Sequence, residues 1–195
     1  MNIAVFASGS GSNFQALLDA EASGKLSAAI KLLVCDKPNA FAVERANKAG
    51  IPVYSFNAKD FSSKEEYERE ILVELQKHSI DFIALAGYMR LVGTVLLDAF
   101  EGRMVNIHPS LLPHFPGKDA VGQALAAGVQ ETGVTLHYVD SGMDTGPIIE
   151  QAVVAVLPGD TADTLQARIQ KTEHELYPRV LQNIIHKQMA GGITK

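Results

Sequence analysis

Short apolar runs alternate with helix-period segments along the first two thirds of the chain, and that alternation restricts the fold more than any other feature. Residues 2–7 are an apolar run closed by Ser8-Gly9-Ser10-Gly11-Ser12-Asn13, which reads as a buried strand followed by a tight turn. Phe14, Leu17 and Leu18 then recur at helical spacing. The same reasoning predicts strands over 29–34, 53–56, 81–86 and 103–107, with helices over 40–49, 62–78 and 93–100 between them. In the 62–78 segment Tyr67, Ile71, Leu72 and Leu75 fall on one face and charges on the other, the pattern of an amphipathic surface helix. A helix is expected over 120–127, strands over 134–139 and 147–156, and a closing helix over 161–186. Leu165, Ile169, Leu176, Val180 and Ile184 give that last helix one apolar stripe. Strands alternating with helices imply an α/β fold, doubly wound, with a mostly parallel sheet covered on both faces. The late strand pair need not be parallel, so a mixed edge is expected.

Composition decides which classes of molecule remain. With 47% hydrophobic and 20% charged residues, the chain can bury an ordinary core, and a single domain over 1–195 is expected. A net charge of -5 argues against a nucleic-acid partner, which needs a cationic face. It leaves room for a small phosphorylated ligand, because a local loop binds phosphate on an acidic protein. One cysteine, Cys35, cannot form an intrachain disulfide, so nothing points to secretion. The start lacks the cationic flank of a signal peptide. No run approaches the ~20 apolar residues of a membrane span. No membrane partner is expected, and the cytoplasm is the expected address.

The first loop offers a phosphate cradle. Backbone N–H groups in a glycine-rich turn that opens a helix point at one spot, and the helix dipole adds positive character there. A dinucleotide fingerprint wants a third glycine near position 14, which is Phe14. Asp36 stands near the offset at which such a fold contacts a ribose. A monophosphate, a dinucleotide and a purely structural turn therefore stay open at this loop. A Walker loop is excluded, since no Gly-Lys-Ser/Thr follows.

A second constellation begins where the fifth predicted strand ends, at Asn106-Ile107-His108-Pro109-Ser110-Leu111-Leu112-Pro113. If the strand persists, alternation aims Asn106 and His108 to the same side. An amide donor beside an imidazole suits a polarised carbonyl and its oxyanion. Farther on, a glycine-flanked loop carries Asp140 and Asp144. Loops that follow parallel strands gather at the carboxyl edge of the sheet, so one cleft can hold the first loop, Asn106, His108 and Asp144. Blander readings stand beside these. His108 can be a loop-stabilising hydrogen-bonder, and His108, His137 and Asp144 can form a two-His, one-carboxylate metal site. Ser110 lacks the elbow glycines of a nucleophile. Glu173 and His174 read by default as a solvated helix face, and Met89-Arg90 as surface.

These residues carry a family resemblance that runs essentially end to end. The chain resembles the glycinamide ribonucleotide formyltransferases, the folate-dependent formyltransferases of purine synthesis. The likeness rests on residues 6–13, on Ala86-Gly87-Tyr88-Met89-Arg90, on residues 106–113 with Phe115-Pro116-Gly117, and on Gly142-Met143-Asp144-Thr145-Gly146-Pro147. The Asn-x-His-Pro-Ser-Leu-Leu-Pro run is shared with methionyl-tRNA formyltransferases and formyltetrahydrofolate hydrolases. The Ser-Gly-Ser-Gly-Ser-Asn loop and the short length favour the ribonucleotide enzymes. Cys35-Asp36 departs from the Ser-Asn of many relatives, and the 118–122 stretch is variable among them and receives no role.

The resemblance implies a Rossmann-like formyltransferase fold and two small-molecule substrates, glycinamide ribonucleotide and the formyl donor 10-formyltetrahydrofolate, without a metal. It implies that Asn106, His108 and Asp144 are catalytic. Gly11, Ser12 and Asn13 would hold the phosphate, and Glu173 would accept from ribose hydroxyls. Met89, Arg90, Leu91 and Val92, with Val139, Asp140 and Asp144, would line the folate pocket. It also suggests a cis bond at Leu112-Pro113.

Overall fold

The computed structural model describes residues 1–191. The chain runs β1 (Asn2–Ala7), α1 (Ser12–Ala22), β2 (Ala29–Cys35), α2 (Phe41–Ala49), β3 (Val53–Ser55), α3 (Lys64–Lys77), β4 (Phe82–Leu85), α4 (Thr94–Ala99), β5 (Met104–His108), α5 (Ala120–Ala127), β6 (Glu131–Tyr138), β7 (Ile148–Ala155) and α6 (Ala162–Gly191). One sheet takes all seven strands in the order β3-β2-β1-β4-β5-β6-β7. The first five are parallel, and β6 runs antiparallel to both β5 and β7. This is the expected mostly parallel sheet with a mixed edge.

The unbroken apolar character of β1 follows from burial on both faces. Ile3, Val5 and Ala7 pack into a core shared with α1 and α6, while Ala4 and Phe6 pack into a second core under α3 and α4. The apolar stripe of α6 is buried as predicted, from Leu165 and Ile169 through Leu176, Val180 and Ile184. The helix continues past Pro178 to Gly191, beyond the predicted end at 186.

Several predicted boundaries shift in the structure, three of them near the site or at a cap. The helix predicted over 62–78 starts at Lys64, because the Ser63 side chain accepts the Glu66 N–H and caps it. The fifth strand reaches His108 rather than ending at 107. The strand predicted from 134 begins at Glu131, so it includes Gly133, a residue that reads as a strand breaker. A Cβ at Gly133 would collide with the Ala152 carbonyl of β7 and with Leu111. That close backbone approach is why glycine stands inside the strand.

The chain leaves β1 toward β2 on one side and reaches β4 on the other. A cleft opens outside the carboxyl ends of strands at such a switch point. Its floor is stitched across the switch: Ser8 N–H donates to Gly87 O at 3.0 Å, and Met89 N–H donates to Ser8 Oγ at 2.9 Å.

Candidate active site

Every site residue expected above lines one cleft of about 570 Å³ at this carboxyl edge. Its first wall is the loop between β1 and α1. Gly11 sits at the N-cap of α1 with φ 68, a left-handed conformation that favours glycine. A Cβ there would lie 2.8 Å from Ala42 Cβ of α2. Glycine is therefore required on the side away from the cleft, where the loop touches α2.

Asn13 and Glu173 meet behind this loop. Asn13 Nδ2 donates to Glu173 Oε2 at 3.0 Å, joining α1 to α6. Glu173 is 5% exposed, which corrects the reading of a solvated face; His174 beside it is half-buried. Burial pushes the Glu173 carboxyl up to about 7, against the opposing pull of the Asn13 hydrogen bond. Asn13 Oδ1 is buried and has no hydrogen-bond partner among the described residues.

The second wall comes from β5, β6 and the loop that follows β6. Because β5 extends to His108, Asn106 and His108 lie two residues apart on one face. Antiparallel register sets Asn106 opposite His137 and His108 opposite Thr135. Asp144, with φ 56, reaches back from the loop to this face. Its Oδ2 accepts the Gly117 N–H at 2.8 Å and lies 3.4 Å from His108 Nδ1. Its Oδ1 lies 3.4 Å from Asn106 Nδ2 and 3.7 Å from His137 Nε2. Burial pushes the Asp144 carboxyl up, but the neighbouring His137 and His108 side chains and the Gly117 N–H outweigh it, so its pKa is lowered. Asp144 is a carboxylate at neutral pH.

The two imidazoles have different surroundings. His108 Nε2 lies 2.8 Å from the Phe115 carbonyl and Nδ1 faces Asp144, so both ring nitrogens face oxygen acceptors. His137 Nδ1 lies 2.8 Å from the Tyr138 carbonyl, which makes Nδ1 the donor and leaves Nε2 as acceptor for Asn106 Nδ2 at 3.1 Å. His137 thus orients the Asn106 amide. Among the described residues, no group of three or more His, Cys, Asp or Glu is arranged to hold a metal ion.

The loop after β5 is held from beneath. Thr135 Oγ1 donates to Ser110 O at 2.6 Å and accepts the Leu112 N–H at 3.0 Å. Ser110 is fully buried, with its hydroxyl bonded to the His114 carbonyl, so it is not a nucleophile. The Leu112–Pro113 bond is cis, as expected.

The third wall is the segment after β4. Met89 and Leu91 are exposed at the mouth of the cleft, and Val92 is buried. Arg90 is not plain surface: its Nε donates to Asp36 Oδ2 at 2.8 Å. The Asp36 side chain is 3% exposed. The residue that a dinucleotide site would turn to a ribose is therefore engaged by Arg90. Asp140 is also occupied, since its Oδ1 accepts from Gly142 N–H at 3.0 Å and Thr145 Oγ1 at 2.7 Å and closes the loop that carries Asp144.

The sequence offers His137 only as a candidate metal ligand and gives Gln166 and Gln170 no role, yet all three line this cleft. A signal for each is present. His137 shares the strand alternation that ends at Val139, and Gln166 and Gln170 precede Glu173 at helical spacing.

The chain is similar to known proteins along most of its length. The family model described as formyl transferase matches residues 1–181. The chain is 50% identical over 182 residues to the phosphoribosylglycinamide formyltransferase of Bacillus subtilis, covering 93% of each. It is 45% identical over 186 residues to the trifunctional purine biosynthetic protein adenosine-3 of Drosophila melanogaster, covering 94% of this chain and 14% of that protein. The crystal structure of glycinamide ribonucleotide transformylase 1 from Geobacillus kaustophilus superposes with a TM-score of 0.92 at 60% identity, covering 94% of this chain and 97% of that one.

Proposed function

The chain belongs to the formyl transferase family and acts as a phosphoribosylglycinamide formyltransferase in purine synthesis, and on that premise we propose how its cleft carries the reaction. The formyl group moves from 10-formyltetrahydrofolate to the primary amine of glycinamide ribonucleotide, giving formylglycinamide ribonucleotide and tetrahydrofolate. The observation that carries the proposal is the convergence of Asn106, His108 and Asp144, with Asp144 3.4 Å from each partner. Contacts of that length are loose, as is common before substrate enters, and they tighten on a reacting group.

In this reading the amine attacks the formyl carbon between the first loop and the segment after β4. Charge develops on the formyl oxygen, where the Asn106 amide and an imidazolium at His108 donate to it. Such donors are worth about 3 kcal/mol each in acyl transfer. Asp144 keeps His108 charged, takes the proton lost by the amine and relays it toward N10 as the carbon–nitrogen bond breaks. Proton relay contributes about 10²–10⁴-fold. The N–H groups of Gly11, Ser12 and Asn13 hold the substrate phosphate at the start of α1. Glu173 accepts from the ribose hydroxyls. Met89, Arg90, Leu91 and Val92 supply one side of the folate pocket, and Val139, Asp140 and Asp144 the other. The formyl group arrives already activated on its carrier, so the chemistry needs no metal. Among the described residues no helix is long and apolar enough to cross a membrane. We place the enzyme in the cytoplasm.

The test is formyl transfer to glycinamide ribonucleotide, followed by the absorbance of the tetrahydrofolate product. Product formation that depends on the ribonucleotide supports the reading. Equal product formation without any acceptor amine means hydrolysis of the donor and overturns it.

A further inference from the structure

The first loop is anchored on its outer side by α2, which the reaction as described does not use. Two consecutive carbonyls of the loop are held there. Gly9 O accepts the Ala42 N–H at 3.1 Å, from the first turn of α2. Ser10 O accepts from Arg45 Nε at 2.8 Å. In a trans peptide the C=O and the N–H point in opposite directions. Holding these two carbonyls against α2 therefore turns the N–H groups of Ser10 and Gly11 the other way, toward the cleft. There they join the unpaired first-turn donors of α1.

Arg45 is itself fixed at three points. Its second guanidinium nitrogen donates to Gln15 Oε1 of α1 at 3.1 Å, and the guanidinium lies over the Phe41 ring at 4.7 Å. The packing is close, since a Cβ on Gly11 would fall 3.3 Å from Arg45 Cδ. A planar guanidinium fork offers Nε to Ser10 O and Nη1 to Gln15 Oε1 in one fixed geometry, which the single ammonium nitrogen of a lysine does not reproduce. Its charge also offsets the negative end of the Ser10 carbonyl beside an anion site.

We propose that Arg45 is a positioning residue for the substrate phosphate: by holding the Ser10 carbonyl outward and tying α2 to α1, it keeps the N–H groups of the first loop aimed at the phosphate. The proposal rests on the reading of this loop as the phosphate site. Arg45 touches no reacting atom, so its effect falls on ribonucleotide binding and not on the chemical step.

The experiment compares wild type, Arg45→Met and Arg45→Lys with two acceptors, glycinamide ribonucleotide and the ribonucleoside that lacks the 5′-phosphate. Thermal melting and folate binding check that each variant is folded. Arg45→Met should raise KM for the ribonucleotide by about tenfold or more. It should leave kcat at saturation and KM for the formyl donor within about twofold. With the ribonucleoside, variant and wild type should be indistinguishable. Arg45→Lys keeps the charge and loses the fork, and should raise the same KM in the same direction; it carries the test if Arg45→Met does not fold. An unchanged KM for the ribonucleotide overturns the proposal, and so does an equal loss with the ribonucleoside or an equal rise for the formyl donor. If wild type itself shows no preference for the phosphorylated acceptor, the phosphate-loop reading fails instead.

Discussion

Replacing Asp144 with Asn keeps the size of the side chain and removes its charge. The wild-type carboxylate faces donors on both oxygens: Gly117 N–H and His108 at Oδ2, and the Asn106 amide at Oδ1. An asparagine can keep the Gly117 bond through its Oδ1 and turn its NH₂ toward the His137 Nε2 lone pair. It then presents a donor where Asn106 also presents one, and it leaves His108 Nδ1 without an anionic partner. The loop should hold, because Asp140 closes it independently. We therefore expect Asp144→Asn to fold and to bind each substrate within roughly tenfold of wild type, or about 1.4 kcal/mol. Turnover should fall by at least about 10³, since charge support of His108 and proton relay are lost together. Adding His108→Ala should cost little more than the worse single change, because the two act as one unit. Wild-type Asp144, with its lowered pKa, stays ionised as pH falls until below the ordinary aspartate range, so it contributes no acid limb near neutrality. Steady-state kinetics with titration of each ligand measures all of this. A variant that keeps a tenth or more of wild-type turnover at neutral pH would refute the relay.

Three further outcomes are expected. Gly11→Val should weaken ribonucleotide binding strongly and leave folate binding nearly normal by calorimetry, because a side chain at this left-handed position strikes Ala42 and displaces the loop; equal loss of both ligands would count against it. Glu173 is a raised acid, so its contribution to stability is complete below the unfolded value of 4.5 and is lost as pH rises through about 7, a change of up to about 3 kcal/mol. Glu173→Gln should flatten that slope in urea denaturation of the free enzyme between pH 4.5 and 7.5, and an unchanged slope would mean that the carboxyl ionises normally. Tyr177 is fully buried and donates from its hydroxyl to Leu85 O at 2.9 Å, so Tyr177→Phe should destabilise by about 1–2 kcal/mol, and a midpoint matching wild type would show that this bond contributes nothing.

The site is unevenly legible in the sequence. Glycines after an apolar run mark the first loop, and two-residue alternation by itself sets Asn106 beside His108. The assignment of Glu173 and of the 89–92 wall comes from family resemblance, because an isolated Glu on a helix or an Arg after a strand reads as solvated surface. Phe14 weakens the dinucleotide reading from sequence, but the engagement of Asp36 by Arg90 becomes visible only with side chains in place. The sequence marks Gly11 as a residue of the phosphate loop; the structure shows that the contact requiring glycine there is with α2, on the loop's outer side.

The information carried by the chain's residue order is periodic: which segments are strands, which face of each helix is buried, and that parallel strands bring the active loops to one edge. Period is a local property, written in residues two to four apart. Which distant groups meet is settled by tertiary packing. Asn13 and Glu173 are separated by 160 positions, and Arg90 and Asp36 by 54. His137 stands opposite Asn106 only because β6 pairs with β5 in one particular antiparallel register. A shift of a single residue keeps the same apolar pattern along the strand yet moves every side chain to the opposite face. Register, strand order and the loops between strands are chosen by the packing of the whole core, and so the chemistry of the cleft is decided at that level.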